Sequence, residues 1–309
     1  MIGAGGWGRN HLRAFSEVPC NLVGFADSDE AKGELTKVYH IEYKRDYREL
    51  LPLVDAVSIA TPAKTHFQVA MDCLKAGKHI LVEKPLAIKS RDGERLVALA
   101  EEKGVVLAVG YLFRFNPAVL KLKEELKGTR SIHYMTLRYV HSDRPPRRES
   151  GAIFEYASHL FDILNFVLGE MPQRVFCKAI HYLSERQENG ALVLLDYADF
   201  VASLEVGWFH PLKKRDAWIM ASPQALYVDF LQQTLRRYPI EISFDDVVKG
   251  ETIDVEMDRN EPLKEELSHF IECIESGGKP INDGEAGCLA TRLCELALES
   301  AKRERELTL

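Results

Sequence analysis

The sequence predicts an α/β protein in two parts: a parallel, doubly wound sheet over residues 1–112, then an α+β half over 113–309 built on a mainly antiparallel sheet. Three observations predict it. Short apolar runs alternate with amphipathic stretches through the first part, the pattern of a parallel sheet covered on both faces. A glycine-rich turn opens the chain immediately before a helical stretch. From Gln173 to about Glu256 the pattern changes to successive period-two runs, which reads as antiparallel sheet.

Taken in order, "MIGAGGWGRN" fits G-x-G-x-x-G through Gly3, Gly5 and Gly8. That fingerprint normally follows a buried strand. Only Met1 and Ile2 precede it, so the first strand is expected to be cut short, with upstream residues missing from this version of the chain. "RNHLRAFSEV" is a helix with Leu12 and Phe15 on one face. "NLVGFAD" is a strand ending at Asp27. "AVSIATP", "HILVEKP" and "VVLAVGY" are further strands, the first two ending at Pro62 and Pro85. "THFQVAMDCLKAG" is a helix opened by a capping box of Thr65 and Gln68 and closed at Gly77; "SRDGERLVALAEEKG" repeats the plan from Ser90 to Gly104. After Tyr111 come a helix, "NPAVLKLKEELKG", a strand, "SIHYMTLRYVH", and a long helix, "GAIFEYASHLFDILNFVLG". The strands "RVFCKAIHYL", "GALVLLDYA", "DFVASLEVGWFH", "DAWIMAS" and "ALYVDF" follow, expected to form a sheet with helices on one face. Two helices, Pro262 to Ser276 and Asp283 to Arg305, finish the chain.

Composition narrows the class. The chain is 46% apolar and 28% charged, as in globular domains, and its net charge of −7 argues against nucleic acid or an anionic membrane as partner. No apolar run approaches the roughly 20 residues that span a bilayer, and no charged-then-apolar leader is present. Cys20, Cys73, Cys177, Cys273, Cys288 and Cys294 are scattered without a C-x-x-C pair. Buried free thiols in a reducing cytoplasm are therefore expected, rather than disulfides or zinc, and no metal is expected.

The fingerprint has its required context. A helix follows it, and Asp27 ends the next strand 19 residues after Gly8. The glycines let the backbone approach a pyrophosphate at a helix N-terminus. Asp27 suits ribose hydroxyls and repels a 2′-phosphate, which favours NAD over NADP. Ligands bind beyond the carboxyl ends of such strands, where Thr61-Pro62 and Glu83-Lys84-Pro85 lie. Partial burial of Lys84 and the positive charge of an oxidised nicotinamide both favour a neutral amine, so Lys84 is a candidate proton acceptor, aimed by a cis Lys84–Pro85 bond. The alternative is a solvated lysine at a strand end. Glu155, His159 and Asp162 are spaced four and three apart, on one helical face. His159 is a candidate for proton exchange near neutral pH; the alternative is a polar stripe with a satisfied histidine.

In order along the whole chain, "GAGGWGRNH", "ADSD", "SIATPAKTH", "VEKPLA", "GYLFRFNPA", "GAIFEYASHLFD" and "NDGEAGCLATRLCELALESAKR" resemble the glucose–fructose oxidoreductase / inositol dehydrogenase (Gfo/Idh/MocA) family. The resemblance implies an N-terminal Rossmann domain and a C-terminal domain whose open antiparallel sheet joins subunits into a homodimer or homotetramer. It implies oxidation of a sugar or polyol hydroxyl by hydride transfer to a nicotinamide cofactor. On the matching motifs, Lys84 takes the catalytic lysine's place and His159 that of the helix histidine, while Glu155 stands where the family usually has aspartate. Gly3, Gly5, Gly6, Trp7, Gly8, Asp27, Ser28, Thr61, Pro62, His66 and Glu83 fall on the cofactor-binding motifs. "RYVHSDRPPRRESGAIFEYASHLFD" is similar to the branch that oxidises the 3-hydroxyl of UDP-N-acetylglucosamine-type sugars. Arg138, Arg144, Arg147 and Arg148 would then face a diphosphate, with Asp162 also on the substrate side. Two rivals stand: an enzyme for a free polyol or simple sugar, and a catalytically idle NAD-binding sensor.

Overall fold

The computed structural model describes residues 1–129, 131–142, 150–183 and 186–309. It resolves into two compact units, one of residues 1–112 with 261–291 and one of 113–260 with 292–309. The helices are α1 (Gly6–Phe15), α2 (Thr36–Tyr39), α3 (Ala63–Lys75), α4 (Ser90–Lys103), α5 (Pro117–Lys127), α6 (Ser158–Leu168), α7 (Pro262–Ser276) and α8 (Gly284–Arg303).

The first unit carries β1 (Gly24–Ala26), β2 (Glu42–Lys44), β3 (Ala56–Ile59), β4 (His79–Val82) and β5 (Leu107–Val109). Their pairings are parallel, β1 with β2 and β3 with β4 with β5. Ile2 joins the two sets, bridging Ala26 and Ile59 in parallel. The short lead-in thus supplies one residue of strand at the sheet's centre. Parallel direction puts the carboxyl ends of all these strands along one edge, and the turn after Ile2 opens α1 on that same edge. β1, β3, β4 and β5 are buried throughout their central residues, which is why they read as apolar runs and not as alternations; β2 is not buried, and no apolar run announces it.

Two helix starts differ from expectation. α3 begins at Ala63, directly after Pro62, and Thr65 instead bonds Thr61 and the Pro62 carbonyl. Gln68 reaches Asp72, so no capping box forms. The preset φ of proline nucleates the turn three residues earlier than the box would. α4 likewise starts at Ser90 with no side-chain cap, though it ends on left-handed Gly104 as expected.

The domain boundary after Leu112 coincides with the division between units, but residues 261–291 belong with the first unit and not with the second. Leu263, Leu267 and Phe270 of α7 are buried against Phe15, Leu81, Val106 and Ala108. Asn282 completes the seam, accepting from Val109 N at 2.7 Å and donating to Val109 O at 2.7 Å. An apolar face of the parallel sheet is left for a distant segment to cover, and periodicity within that segment carries no record of its partner.

The second unit carries β6 (Ser131–Val140), β7 (Arg174–Ile180), β8 (Gly190–Asp196), β9 (Val201–Gly207), β10 (Lys214–Ser222), β11 (Gln224–Asp229), β12 (Thr234–Ile242), β13 (Val247–Lys249), β14 (Ile253–Val255) and β15 (Leu307–Thr308). Their order is β13-β12-β11-β10-β6-β9-β8-β7-β15, with β14 beside β12. Only the β6–β9 pair is parallel among the described residues. One face is apolar and buried, with Val175, Cys177, Val193, Leu195, Leu204, Val206, Ala217 and Ile219 on it. The other presents Phe176, Leu192, Leu194, Val201 and Tyr134 to solvent.

Candidate active site

The glycine turn is built as a close backbone crossing. Gly3 has φ of 86°, and a side chain at Gly8 would put its first carbon 1.9 Å from the Gly3 carbonyl oxygen. Beside Gly5 and Gly6, by contrast, nothing lies within 4 Å of where a side chain would start. The N-terminus of α1 has neither a side-chain cap nor an acidic residue in its first turn. Its N–H groups and dipole therefore face open space, an arrangement suited to phosphate. Asp27, half-buried, accepts from Ala4 N at 2.7 Å and from Asp29 N at 2.9 Å. A carboxylate has further lone pairs, so it can also take ribose hydroxyls. These residues fit a dinucleotide. Ser28 is exposed in the same turn, while the Trp7 side chain packs against the apolar cluster of Phe15 and Leu263.

Lys84 is half-buried where β4 ends, and its peptide bond to Pro85 is cis. Thr61 and Pro62 stand at the end of neighbouring β3. Two expected cofactor contacts are engaged inside the fold. His66 is 1% exposed, with Nδ1 2.7 Å from Pro85 O and Nε2 2.8 Å from Thr61 O. It ties the two strand-end peptides together, and burial pushes its pKa below the ordinary value despite both carbonyls. Glu83 is also buried; one carboxylate oxygen lies 2.9 Å from His11 Nε2 and the other accepts from Lys84 N at 3.2 Å. Neither side chain is turned outward to a ligand.

In the second unit, residues 153–157 form a π-turn at the head of α6. Such turns recur at functional sites. This one carries half-buried Glu155 and leads into His159, which is buried between an edge contact from Phe113 at 5.2 Å and a stack on Tyr139 at 5.7 Å. Tyr139 also stacks on Tyr156 at 4.6 Å, under the Arg215 guanidinium at 4.2 Å. The Tyr156 hydroxyl accepts from Trp208 Nε1 and lies 2.8 Å from His141 Nε2.

Asp162 does not share an open face with Glu155 and His159. It is fully buried in an ion pair with Arg114, whose Nε and Nη2 lie 2.9 and 2.8 Å from Oδ1. Three residues past His159, its direction is inward. Arg138 is likewise removed from the substrate loop: it lies in β6, forked onto Asp216 at 2.8 and 2.6 Å. Arg144, Arg147 and Arg148 lie outside the described residues. Sequence reasoning missed His11, Arg114, Tyr139, Tyr156 and Glu188. Arg114 had a signal, a lone charge in the apolar run "YLFRF". His11 had one too, sitting on the Gly8-Leu12-Phe15 stripe.

Comparison with known proteins agrees with this architecture. Residues 1–111 match the oxidoreductase family with an NAD-binding Rossmann fold, Gfo/Idh/MocA, and residues 129–226 match a C-terminal domain of the same family. The chain belongs to the Gfo/Idh/MocA family. As a member it is an oxidoreductase with an NAD-binding Rossmann domain. It is similar to UDP-N-acetylglucosamine 3-dehydrogenase of Acidithiobacillus ferrooxidans, 25% identical over 288 residues covering 93% of this chain and 91% of the relative. The solved structure of that enzyme superposes with a TM-score of 0.89 over 98% of this chain and 96% of the other. Myo-inositol 2-dehydrogenase of Thermotoga maritima is 27% identical over 86% of this chain and 83% of its own length. A levoglucosan dehydrogenase solved with NADH and levoglucosan, 20% identical, shares the fold with a TM-score of 0.87, covering 99% of this chain and 97% of the other. Among the described residues no helix is long and apolar enough to cross a membrane, and no His, Cys, Asp and Glu cluster is arranged to hold a metal.

Proposed function

We propose that this family member is an NAD-dependent dehydrogenase of a nucleotide sugar, oxidising a ring hydroxyl to a ketone, with the 3-hydroxyl of a UDP-N-acetylglucosamine-type sugar as the leading substrate. The observation that carries the assignment is the strand edge of the first unit. Parallel topology sets the uncapped α1 terminus, Asp27, Thr61 and Lys84 along it.

The N–H groups of α1 bind the pyrophosphate, and Asp27 orients the adenosine ribose and disfavours a 2′-phosphate. When bound, NAD supplies the acceptor for the hydride leaving the carbinol carbon. Lys84 takes the hydroxyl proton, which gives a general base worth roughly 10²–10⁴-fold in rate. His159, held by Phe113 and Tyr139, orients that hydroxyl and exchanges its proton, and Glu155 assists it. The nucleotide-sugar assignment is supported by the Acidithiobacillus relative and by the charges of Arg144, Arg147 and Arg148, whose forks suit a diphosphate. A free polyol is the second reading, favoured by the Thermotoga relative and by Glu155 in place of aspartate. The exposed apolar face of the second unit's sheet serves as the subunit interface of a homo-oligomer.

A panel of UDP-sugars and free polyols followed by nicotinamide absorbance tests this. Lys84→Met is expected to lower turnover by about 10²-fold or more with NAD affinity retained. Replacing Arg144, Arg147 and Arg148 by glutamine is expected to raise KM for the UDP-sugar by about tenfold or more. Unchanged turnover in the lysine variant removes its role as base. Turnover of polyols alone, indifferent to the arginines, moves the substrate to the second reading.

A further inference from the structure

Glu83 presents a problem that cofactor binding does not solve. A buried carboxylate is costly unless it is paired, and this one is 6% exposed at the end of β4. Its partner is His11 of α1, which is fully buried. His11 Nε2 lies 2.9 Å from Glu83 Oε1 and Nδ1 lies 2.9 Å from Ser58 Oγ on β3. Nε2–H donates to the carboxylate, which leaves Nδ1 to the Ser58 hydroxyl, a group that can donate or accept. The other carboxylate oxygen accepts from the backbone N of Lys84 at 3.2 Å. Gly110 closes the remaining side, where a side chain's first carbon would stand 3.0 Å from Oε2. Every link lies within the first unit.

We infer that His11 is a positioning residue for Lys84: the His11–Glu83 pair is a strut that sets the lysine from the helix whose N-terminus receives the dinucleotide phosphates. This rests on Lys84 being the base, and it gives α1 a second task besides anion binding. The strut makes an atom-specific demand. Glutamine at 11 carries an N–H donor near the place of Nε2 and can hold Glu83. Asparagine carries its amide near Nδ1, which reaches Ser58 only.

The test compares His11→Gln with His11→Asn. In cofactor-free protein, competitive amine acylation read by peptide mass spectrometry should change at Lys84 by about threefold or more in the asparagine variant and by less than about twofold in the glutamine variant. Exposed Lys75 and Lys103 should stay unchanged. With NAD and the active sugar of the panel, kcat should fall by more than about tenfold for asparagine, with NAD affinity within about threefold of the parent. In a Lys84→Met background the asparagine substitution should cost less than about twofold. Unchanged Lys84 labelling, a common shift at all lysines, equal behaviour of the two variants, or a full asparagine cost without Lys84 each overturns the strut. If Lys84→Met alone keeps full turnover, the base assignment falls, and the labelling still decides the strut.

Discussion

Val106 N donates to His79 Nδ1 at 2.9 Å, and Ile281 N donates to His269 Nε2 at 3.1 Å. A ring nitrogen that accepts an N–H carries no proton, so protonation breaks each bond. Burial lowers the pKa of both rings below the ordinary value. The unfolded chain therefore takes up these protons first. Stability from the two sites is complete above about pH 6.5 and is lost as pH falls through the folded pKa values. Asparagine at 79 and glutamine at 269 keep an acceptor oxygen near the required place and do not titrate. The urea midpoint of the parent should drop between about pH 7.5 and about pH 5.5 more steeply than that of the double variant His79→Asn/His269→Gln. Parallel curves would remove both histidines from the acid response.

The π-turn is held by a residue remote in sequence. Glu188 Oε1 accepts from Ile153 N at 3.0 Å, and its carbonyl accepts from Ala152 N at 3.0 Å. An acid at a helix N-terminus is favourable there, although burial pushes the Glu188 carboxyl up. A side chain at Gly151 would start 2.0 Å from Glu188 Oε1. Gly151→Ala must therefore evict the carboxylate and uncap the turn that carries Glu155 and leads to His159. We expect a loss of about 1–3 kcal/mol in stability and a fall in kcat/KM larger than that of Glu188→Gln, which keeps the acceptor. Denaturant titration and steady-state kinetics check both, and a fully active Gly151→Ala protein would separate the turn from catalysis.

Across the chain, α7 completes the first unit. Burying Leu263, Leu267 and Phe270 contributes roughly 1.5–3 kcal/mol per side chain, a sum comparable with a domain's whole net stability. Residues 1–112 alone should expose Leu81 and Val106 and bind a hydrophobic dye, whereas 1–112 linked to 261–291 should unfold cooperatively and bind NAD. Equal folding of the two fragments would make α7 an accessory. In the second unit Phe176 pairs with Leu194 and Tyr134 with Val201 on the outward face, where Leu192 is 54% exposed. Exposed apolar side chains grouped on one sheet face are what the proposed subunit interface requires. If this face is the proposed subunit interface, Leu192→Glu with Leu194→Glu should lower the mass measured by light scattering to that of a monomer, and an unchanged mass would remove the face from that role.

What the sequence by itself determined is what short-range periodicity and local chemistry encode. The apolar runs marked β1, β3, β4 and β5 but not the unburied β2, G-x-G-x-x-G with Asp27 marked the dinucleotide motif, and the E-K-P segment placed Lys84 at a strand end. The period-two runs marked the antiparallel sheet through β11, and the stretch from Pro262 to Ser276 marked α7. Tertiary structure alone decided which polar residues are committed inward. His66 and Glu83 lie on cofactor motifs, yet each spends its polar atoms on neighbouring strands and helices; Asp162 has helical spacing from His159, yet is sealed against Arg114. The membership of 261–291 in the first unit belongs to the same class of fact. A buried polar group or apolar face is satisfied by partners tens to hundreds of residues away, and burial makes those partners obligatory without leaving a local signal of who they are.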